Sequence, residues 1–500
     1  MNTQPVSLLT DLFDLLVSIF RDWGGLTIIK PVLLPTDLLV FILFVCVVFF
    51  AIQARRNAPS REAWRRVGRQ PVAMASAAVL SIFAVIGFMD SLHYRPQLPP
   101  SQNESAGVQK VAYSSEVLSL LDTLLTPLRT KMEKTYSAPF ARESFQRETV
   151  KLPDGGQARI YPRLAHGASH LQEGESTLPD IARRLAWAPL QALIVTGALL
   201  CVLTVGVARS RGIGLTAAAR RILAGRTELA WRPALIAVFL MALLFAAGVA
   251  LAPHYHVLGT DKVGQDVLYL SLKSIRTGLV IGTLTTLIML PFAVALGIAA
   301  GYLGGWVDDA IQYLYTVLNS IPSVLLIAAS VLMLQVTIDT HPQWFDTAAE
   351  RADARLLALC AILGITSWTG LCRLLRGETL KLRELDYVQA ARAFGASTAQ
   401  ILRRHILPNV MHIVLISVAL DFSTLVLAEA VLSYVGIGVD PSTISFGSMI
   451  NAARAELARE PVIWWSLASA FGFMLTLVLA ANLLADAVRD AFDPRRQLGQ

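Results

Sequence analysis

The chain has 500 residues, 54% of them hydrophobic and only 16% charged, with a formal net charge of +7. That balance, with a positive mean hydropathy, excludes an ordinary string of soluble domains and directs the reading to membrane spans. The basic charge collects in short loops between apolar stretches, where topology explains it, so no nucleic-acid partner is called for.

Near the start, Leu8 to Phe20, broken by Asp11 and Asp14, reads as an interfacial amphipathic helix. The lack of Lys and Arg in the first twenty residues speaks against a cleavable signal peptide. A bilayer core takes about 20 apolar residues in a helix. Nine stretches qualify or nearly do: Leu38 to Gln53, Pro71 to Met89, Trp187 to Ala208, Ala234 to Leu251, Leu279 to Tyr302, Ile311 to Val336, Leu356 to Cys372, Val410 to Val435 and Val462 to Ala485. Pro291 and Pro322 fall mid-span, which packing in a bundle tolerates.

Between the second and third spans lies a longer polar segment. Its leucines at 118, 121, 125 and 128 share one helical face, and Asp154-Gly155-Gly156 between short runs suggests a hairpin. The expected fold is an all-α polytopic membrane protein, a helical bundle of about nine spans carrying a small extracytoplasmic α+β insert. The parts are an N-terminal membrane segment (1–90), the insert (91–186), an extra span with a basic cytoplasmic loop (187–233) and a membrane core (234–500). The insert's bounded composition suggests a unit that folds independently.

Short loops rich in Lys and Arg belong in the cytoplasm. Arg55, Arg56, Arg61, Arg65, Arg66 and Arg69 follow the first span, and Arg209, Arg211, Arg220, Arg221, Arg226 and Arg232 precede the fourth. Alternation then puts the loop at 373–409 on the same side, as do its own Arg373, Arg376, Lys381, Arg383, Arg392, Arg403 and Arg404. Cys46, Cys201, Cys360 and Cys372 sit in or beside apolar spans at spacings that fit neither a zinc site nor a disulfide framework.

That loop contains "DYVQAARAFGASTAQILRRHILPN", opening at Asp386. Good helix formers run to Phe394, Gly395 can take a positive φ and stop the helix, Ser397 with Gln400 restarts one, and Pro408 marks the return to the membrane. Ala390, Ala391, Ala393 and Ala396 leave the first helix a shallow face that another protein's surface can approach.

The stretch resembles the Glu-Ala-Ala signature of ATP-binding-cassette importer permeases. Gln389, Ala390, Ala391, Gly395, Leu407 and Pro408 match its spacing, with Gln389 in place of the acidic residue and His405 in place of an Ile. The Glu-to-Gln change removes a charge from a docking contact but keeps its shape. "HVLGTDKVGQDVL" from His256, with Gln265 in place of an Arg, "GYLGGWVDD" from Gly301, "AEAVLSYVGIGVDPSTISFGSMI" from Ala428 and "NLLADAVRDAFDPR" from Asn482 resemble, in order and spacing, the C-type permease subunits of dipeptide, oligopeptide and nickel importers. The resemblance covers roughly Ala234 to Arg495 and leaves residues 1–233 without functional guidance.

What it implies is a passive half-channel in a bacterial inner membrane, importing di- or oligopeptides, or alternatively nickel or another small solute. The implied partners are a second permease subunit in a heterodimer, two cytoplasmic ATPases docked on the 373–409 loop, an extracytoplasmic solute-binding protein and the lipid bilayer, with the C-terminus cytoplasmic. No Gly-x-x-x-x-Gly-Lys-Ser/Thr phosphate loop occurs, so ATP chemistry belongs to another chain, and neither a cofactor nor a metal is expected. Asp421, Glu429 and Ser433 in the eighth span are candidates for the pore or gate, because intramembrane carboxylates usually face a cavity or a partner; a structural hydrogen bond is the competing role for Glu429. His254 and His256 read as a polar loop rather than a metal site. An ion-coupled secondary transporter would show inverted repeats, and none is found; a membrane sensor would need an output domain.

Overall fold

The computed structural model describes residues 29–56, 58–98, 113–151, 157–172, 175–345 and 347–492. The amphipathic stretch expected at Leu8 to Phe20 lies outside them. The first half of the chain holds α1 (Pro35–Arg56), α2 (Ala58–Arg69), α3 (Pro71–Asp90), α4 (Leu120–Leu124), α5 (Thr126–Thr130), α6 (Thr177–Leu185), α7 (Ala188–Arg211), α8 (Leu215–Leu223) and α9 (Trp231–Leu251). The second half holds α10 (Val267–Leu303), α11 (Gly305–Ser320), α12 (Ser323–Thr340), α13 (Ala348–Ser367), α14 (Thr369–Arg383), α15 (Asp386–Ala393), α16 (Thr398–Ile401), α17 (Leu407–Val435), α18 (Phe446–Arg454) and α19 (Trp465–Phe492). Nine helical segments among the described residues are long and apolar enough to cross a membrane, as the hydropathy of the sequence requires.

One expected span is divided. Ile311 to Val336 does not form a single helix: α11 ends at Ser320 and α12 starts at Ser323, with Pro322 between them. Proline lacks the N–H that would continue the ladder and restricts the residue before it to extended backbone; Ile321 has φ −90° and ψ 130°. Pro291, by contrast, lies inside α10.

The bundle is organised on α10, 37 residues long and buried over much of its surface. Two glycines admit α14 at backbone range: a Cβ at Gly297 would stand 2.8 Å from the Cys372 carbonyl oxygen, and one at Gly301 2.6 Å from the Thr379 Cβ. Close approach of this kind is how helices gain packing where lipid offers no hydrophobic driving force. At the same end Arg376 grips Asp308 with two hydrogen bonds of 2.5 and 2.7 Å.

Two small sheets accompany the bundle, and the first of them takes one strand from the N-terminal segment and two from the insert. β1 (Ile29–Val32), β2 (His93–Pro96) and β3 (Leu118–Ser119) pair antiparallel in that order, and β4 (Glu148–Lys151) pairs with β5 (Gln157–Ile160) as the hairpin foreseen around Gly155. The leucine-marked helix is not one helix. Leu118 belongs to a strand, and Leu121, Leu125 and Leu128 are spread over α4, α5 and the turn between them. Ser119 starts α4 with a reciprocal capping box to Asp122, and Pro127 in the first turn of α5 fixes the second start.

Independent folding of the insert is opposed by where those leucines go. Leu121, Leu125, Leu128 and Tyr136 are buried in one cluster with Val267, Tyr269 and Leu270 of α10, Phe446 of α18 and Trp465 of α19. Polar ties follow the same seam. Lys273 of α10 lies 2.7 Å from Asp90 and 3.0 Å from Asp122, and the Tyr269 hydroxyl donates to Asp122 at 2.8 Å.

A second tie runs through His256, which is 4% exposed. Its Nδ1 is 2.8 Å from Asp266 and its Nε2 3.4 Å from Glu133. Asp266 also caps α10 by accepting from the backbone N–H of Leu268 and Tyr269, while Glu133 accepts from the backbone N–H of Ala165, His166 and Gly167. Burial works against a charged imidazole, but the Asp266 and Glu133 carboxylates outweigh it and raise the His256 pKa from 6.5 to about 9. A raised pKa stabilises the fold fully below the ordinary histidine range and loses that contribution as pH climbs through the folded value. The melting temperature of the detergent-solubilised protein is therefore expected to fall between pH 7 and pH 10, by the equivalent of about 3 kcal/mol, and His256→Gln is expected to flatten that limb; an unchanged slope in the variant would remove His256 as its source.

Candidate functional site

The end of the bundle opposite the insert carries a helical hook. α14 runs to Arg383, whose guanidinium donates to the Tyr302 carbonyl in the last turn of α10 at 3.4 Å, then breaks at Glu384 and Leu385 and gives way to α15. The eight residues of α15 start with Asp386 in the first turn, where a carboxylate complements the helix dipole. Gly395, at φ +82°, ends the helix in a Schellman turn: the Gly395 N–H donates to the Arg392 carbonyl at 3.0 Å and the Ala396 N–H to the Ala391 carbonyl at 3.1 Å. A Cβ at Gly395 would meet nothing within 4 Å, so the glycine is required by conformation and not by space. Ser397 then caps α16, accepting from the Gln400 N–H at 3.3 Å.

The hook is held from below. Val388, Ile401, Ile406 and Val410 are buried with Cys372 and Leu375 of α14 and Ile298 and Ala300 of α10. The alanines divide between two sides: Ala391 and Ala396 lean on this cluster, while Ala390 and Ala393 are exposed beside Phe394. The shallow face expected of all four is thus made by Ala390 and Ala393 alone, because the 3.6-residue period turns Ala391 inward. Phe394, at the tip, is 91% exposed. Sequence reasoning passed over it, although a large aromatic directly before a helix-ending glycine was a usable signal.

Gln389 is exposed, and its side-chain amide donates to the Arg383 carbonyl at 3.0 Å. That bond satisfies a carbonyl at the end of α14, and the glutamate usual in the motif cannot make it because a carboxylate has no proton to donate. His405 packs its ring against Tyr387 at 6.0 Å between centroids, and Asn409 donates to the Tyr387 hydroxyl at 3.1 Å and to the His405 carbonyl at 2.6 Å. The chain does not break at Pro408. Residues Leu402–Ile406 form one wide π turn and the helix runs on through half-buried Leu407 into α17. Widening the turn before a proline accommodates the missing hydrogen bond and the ring.

The candidate pore residues do not form one group. Glu429 is 2% exposed, and one of its oxygens accepts from Ser433 at 2.6 Å and from Ser445, the cap of α18, at 2.8 Å. Gly447 allows this crossing, since a Cβ there would lie 2.9 Å from the Ala430 Cα and 3.0 Å from that Glu429 oxygen. Glu429 and Ser433 therefore join α17 to α18. Asp421 stands apart, half-buried and without a hydrogen bond or ion pair among the described residues.

A second constellation escaped the sequence reading. Arg276 of α10, 9% exposed, donates to Asp37 at 2.6 Å, to Thr36 at 3.1 Å and to Ser91 at 3.1 Å. His93 approaches Asp37 at 2.7 Å, and Thr36 donates to Asp353 of α13. A cation three residues ahead of an expected span was the available clue; its partners, 239 and 77 residues away along the chain, were not. His254 meets His170 edge-on at 4.8 Å.

The described residues thus form a polytopic helical bundle that ends in an exposed hook. Residues 293–498 match the family described as binding-protein-dependent transport system inner membrane component. The chain is 30% identical over 296 residues to the oligopeptide transport system permease protein of Mycobacterium bovis, covering 55% of this chain and 95% of that protein. It is 32% identical over 240 residues to the glutathione transport system permease protein of Pectobacterium atrosepticum, and 29% identical over 240 residues to the dipeptide transport system permease protein of Bacillus subtilis; each alignment covers 48% of this chain, and they cover 73% and 69% of those proteins. The chain belongs to this family of ATP-binding-cassette importer permeases, as a multi-pass inner-membrane component of the oligopeptide and dipeptide branch. The region matched by the family model begins inside α10, so α1 to α9 and the insert lie outside it.

Proposed function

We propose that the chain forms half of the translocation pathway for di- or oligopeptides, driven by ATPase subunits that seat the α15–α16 hook in a cleft. The observation that carries this reading is the hook itself: an aromatic tip 91% exposed on a base whose Val388, Ile401 and Ile406 are 2% exposed or less. A surface phenylalanine on a rigid support is an interface anchor, and the rigid support turns ATPase closure into movement of α14 and α17. Asp386, Gln389, Ala390, Gly395, His405 and Pro408 belong to this docking element, with Ala391 and Leu407 holding it to the bundle.

The hook end is cytoplasmic in this reading, as its arginines require, and so is the C-terminal end of α19. The insert end faces outward and receives a solute-binding protein, and a second permease subunit completes the pathway. Asp421, an intramembrane carboxylate with no partner in the described chain, faces the pathway or the second subunit. The test is reconstitution with two ATPases, the second permease and the binding protein in proteoliposomes. ATP-dependent uptake of a labelled di- or oligopeptide is expected; uptake that persists without the ATPases would overturn the proposal.

A further inference from the structure

The hook end carries a second surface that translocation does not explain. α3 and α9 pack side by side, and both start at this end, at Pro71 and Trp231. The last turn of α2 and the turn after α8 are tied together just there: the Ala230 N–H donates to the Gly68 carbonyl at 2.7 Å, and Leu229 fills the space over Gly68. The turn after α8 is itself fixed, with Gly225 at φ +67° and the Arg226 N–H donating to the Arg221 carbonyl at 2.9 Å. The Arg232 side chain lies over it, its Cδ 4.0 Å from a Cβ position on Gly225.

Arg66 and Arg69 thus flank one side of the tie and Arg226 and Arg232 the other. All four are exposed, and none makes an ion pair or a side-chain hydrogen bond among the described residues. Of the acids in the two basic loops themselves, Glu62 lies 4.0 Å from Arg65 and Glu228 2.9 Å from Arg211. Four guanidinium groups without a partner among the described residues, on the two sides of this tie, near the first turns of two packed spans and beside Trp231, make a basic surface at headgroup height.

We propose that this basic surface binds the headgroup of an anionic phospholipid whose acyl chains lie along the α3–α9 seam. Guanidinium forks match phosphate oxygens in pairs, basic pockets between spans take acidic headgroups, and tryptophan is favoured at that depth. The commitment to lipid over free phosphate rests on position, because the surface lies where the two packed apolar helices α3 and α9 begin. By bridging α2, the turn after α8 and the two spans, the lipid would fasten the segment outside the family-matched region to the membrane.

The experiment is native mass spectrometry of the delipidated full complex titrated with phosphatidylglycerol or phosphatidylcholine. The parent is expected to hold phosphatidylglycerol at least tenfold more tightly. Replacing Arg66, Arg69, Arg226 and Arg232 together by Gln is expected to abolish that preference, while the same four replaced by Lys keep most of it; the other eight arginines of the two basic loops remain to set orientation. A Gln variant that keeps a tenfold preference, or a parent whose bound lipid is displaced by millimolar inorganic phosphate, would overturn the proposal. If the fourfold variant does not accumulate, the Arg226→Gln, Arg232→Gln pair, in the turn and at the start of α9, gives the same test, with partial loss expected and full retention contradicting it.

Discussion

Arg276→Met is expected to destabilise the protein by about 3–5 kcal/mol, enough to remove most of the folded material from a membrane preparation. Arg276 is the cation that Asp37 and Asp353 face at 2.6 and 3.9 Å, and both carboxylates are almost fully buried. Deleting Arg276 leaves Asp353 without a cation and Asp37 with His93 alone, both desolvated, which costs far more than the network contributes when intact. The physical cause is therefore the stranded acids and not the lost arginine contacts. Combining Arg276→Met with Asp37→Asn and Asp353→Asn should recover a large part of the loss. Fluorescence-detected gel filtration and thermal unfolding in detergent measure both variants; a single Arg276→Met protein as stable as its parent would mean that α1 and α13 are held to α10 by packing alone.

Gly395→Val is expected to cut peptide-stimulated ATP hydrolysis by the reconstituted complex at least tenfold while membrane insertion is unchanged. The φ of +82° lies where a β-branched side chain is a strained outlier, and the site is open, so nothing but conformation is altered. The strained turn re-aims α16 and moves Phe394. Asparagine tolerates positive φ far better than valine, and Gly395→Asn should retain most of the stimulation. Equal loss in the Asn and Val variants would assign the effect to side-chain bulk at the docking surface, and no loss in either would make the stretch an ordinary connector.

The spans were legible because hydropathy over about 20 residues is a local property that survives any tertiary arrangement. The hook was nearly as legible, since Gly395 and Ser397 act within a few residues of themselves. Pro408 misled because the same proline that ends a helix in isolation is accommodated by a π turn inside a bundle, and Pro322 misled in the other sense, interrupting what hydropathy joined. Long-range pairing was the illegible part. Leu121, Leu125 and Leu128 show helical spacing, but their burial depends on Val267 and Trp465, more than a hundred residues downstream. Arg276, Lys273 and His256 likewise take their meaning from Asp37, Asp90 and Glu133, partners that no local pattern identifies.

Docking of the hook on the ATPases of a peptide importer is tested by placing a photo-crosslinking residue at Phe394. In an assembled complex that takes up peptide at the expense of ATP, illumination is expected to yield one major product joining this chain to an ATPase subunit, and Gly395→Val in the same chain should reduce it. A transport-competent complex whose position 394 crosslinks only to lipid, or only to the solute-binding protein, would contradict the account.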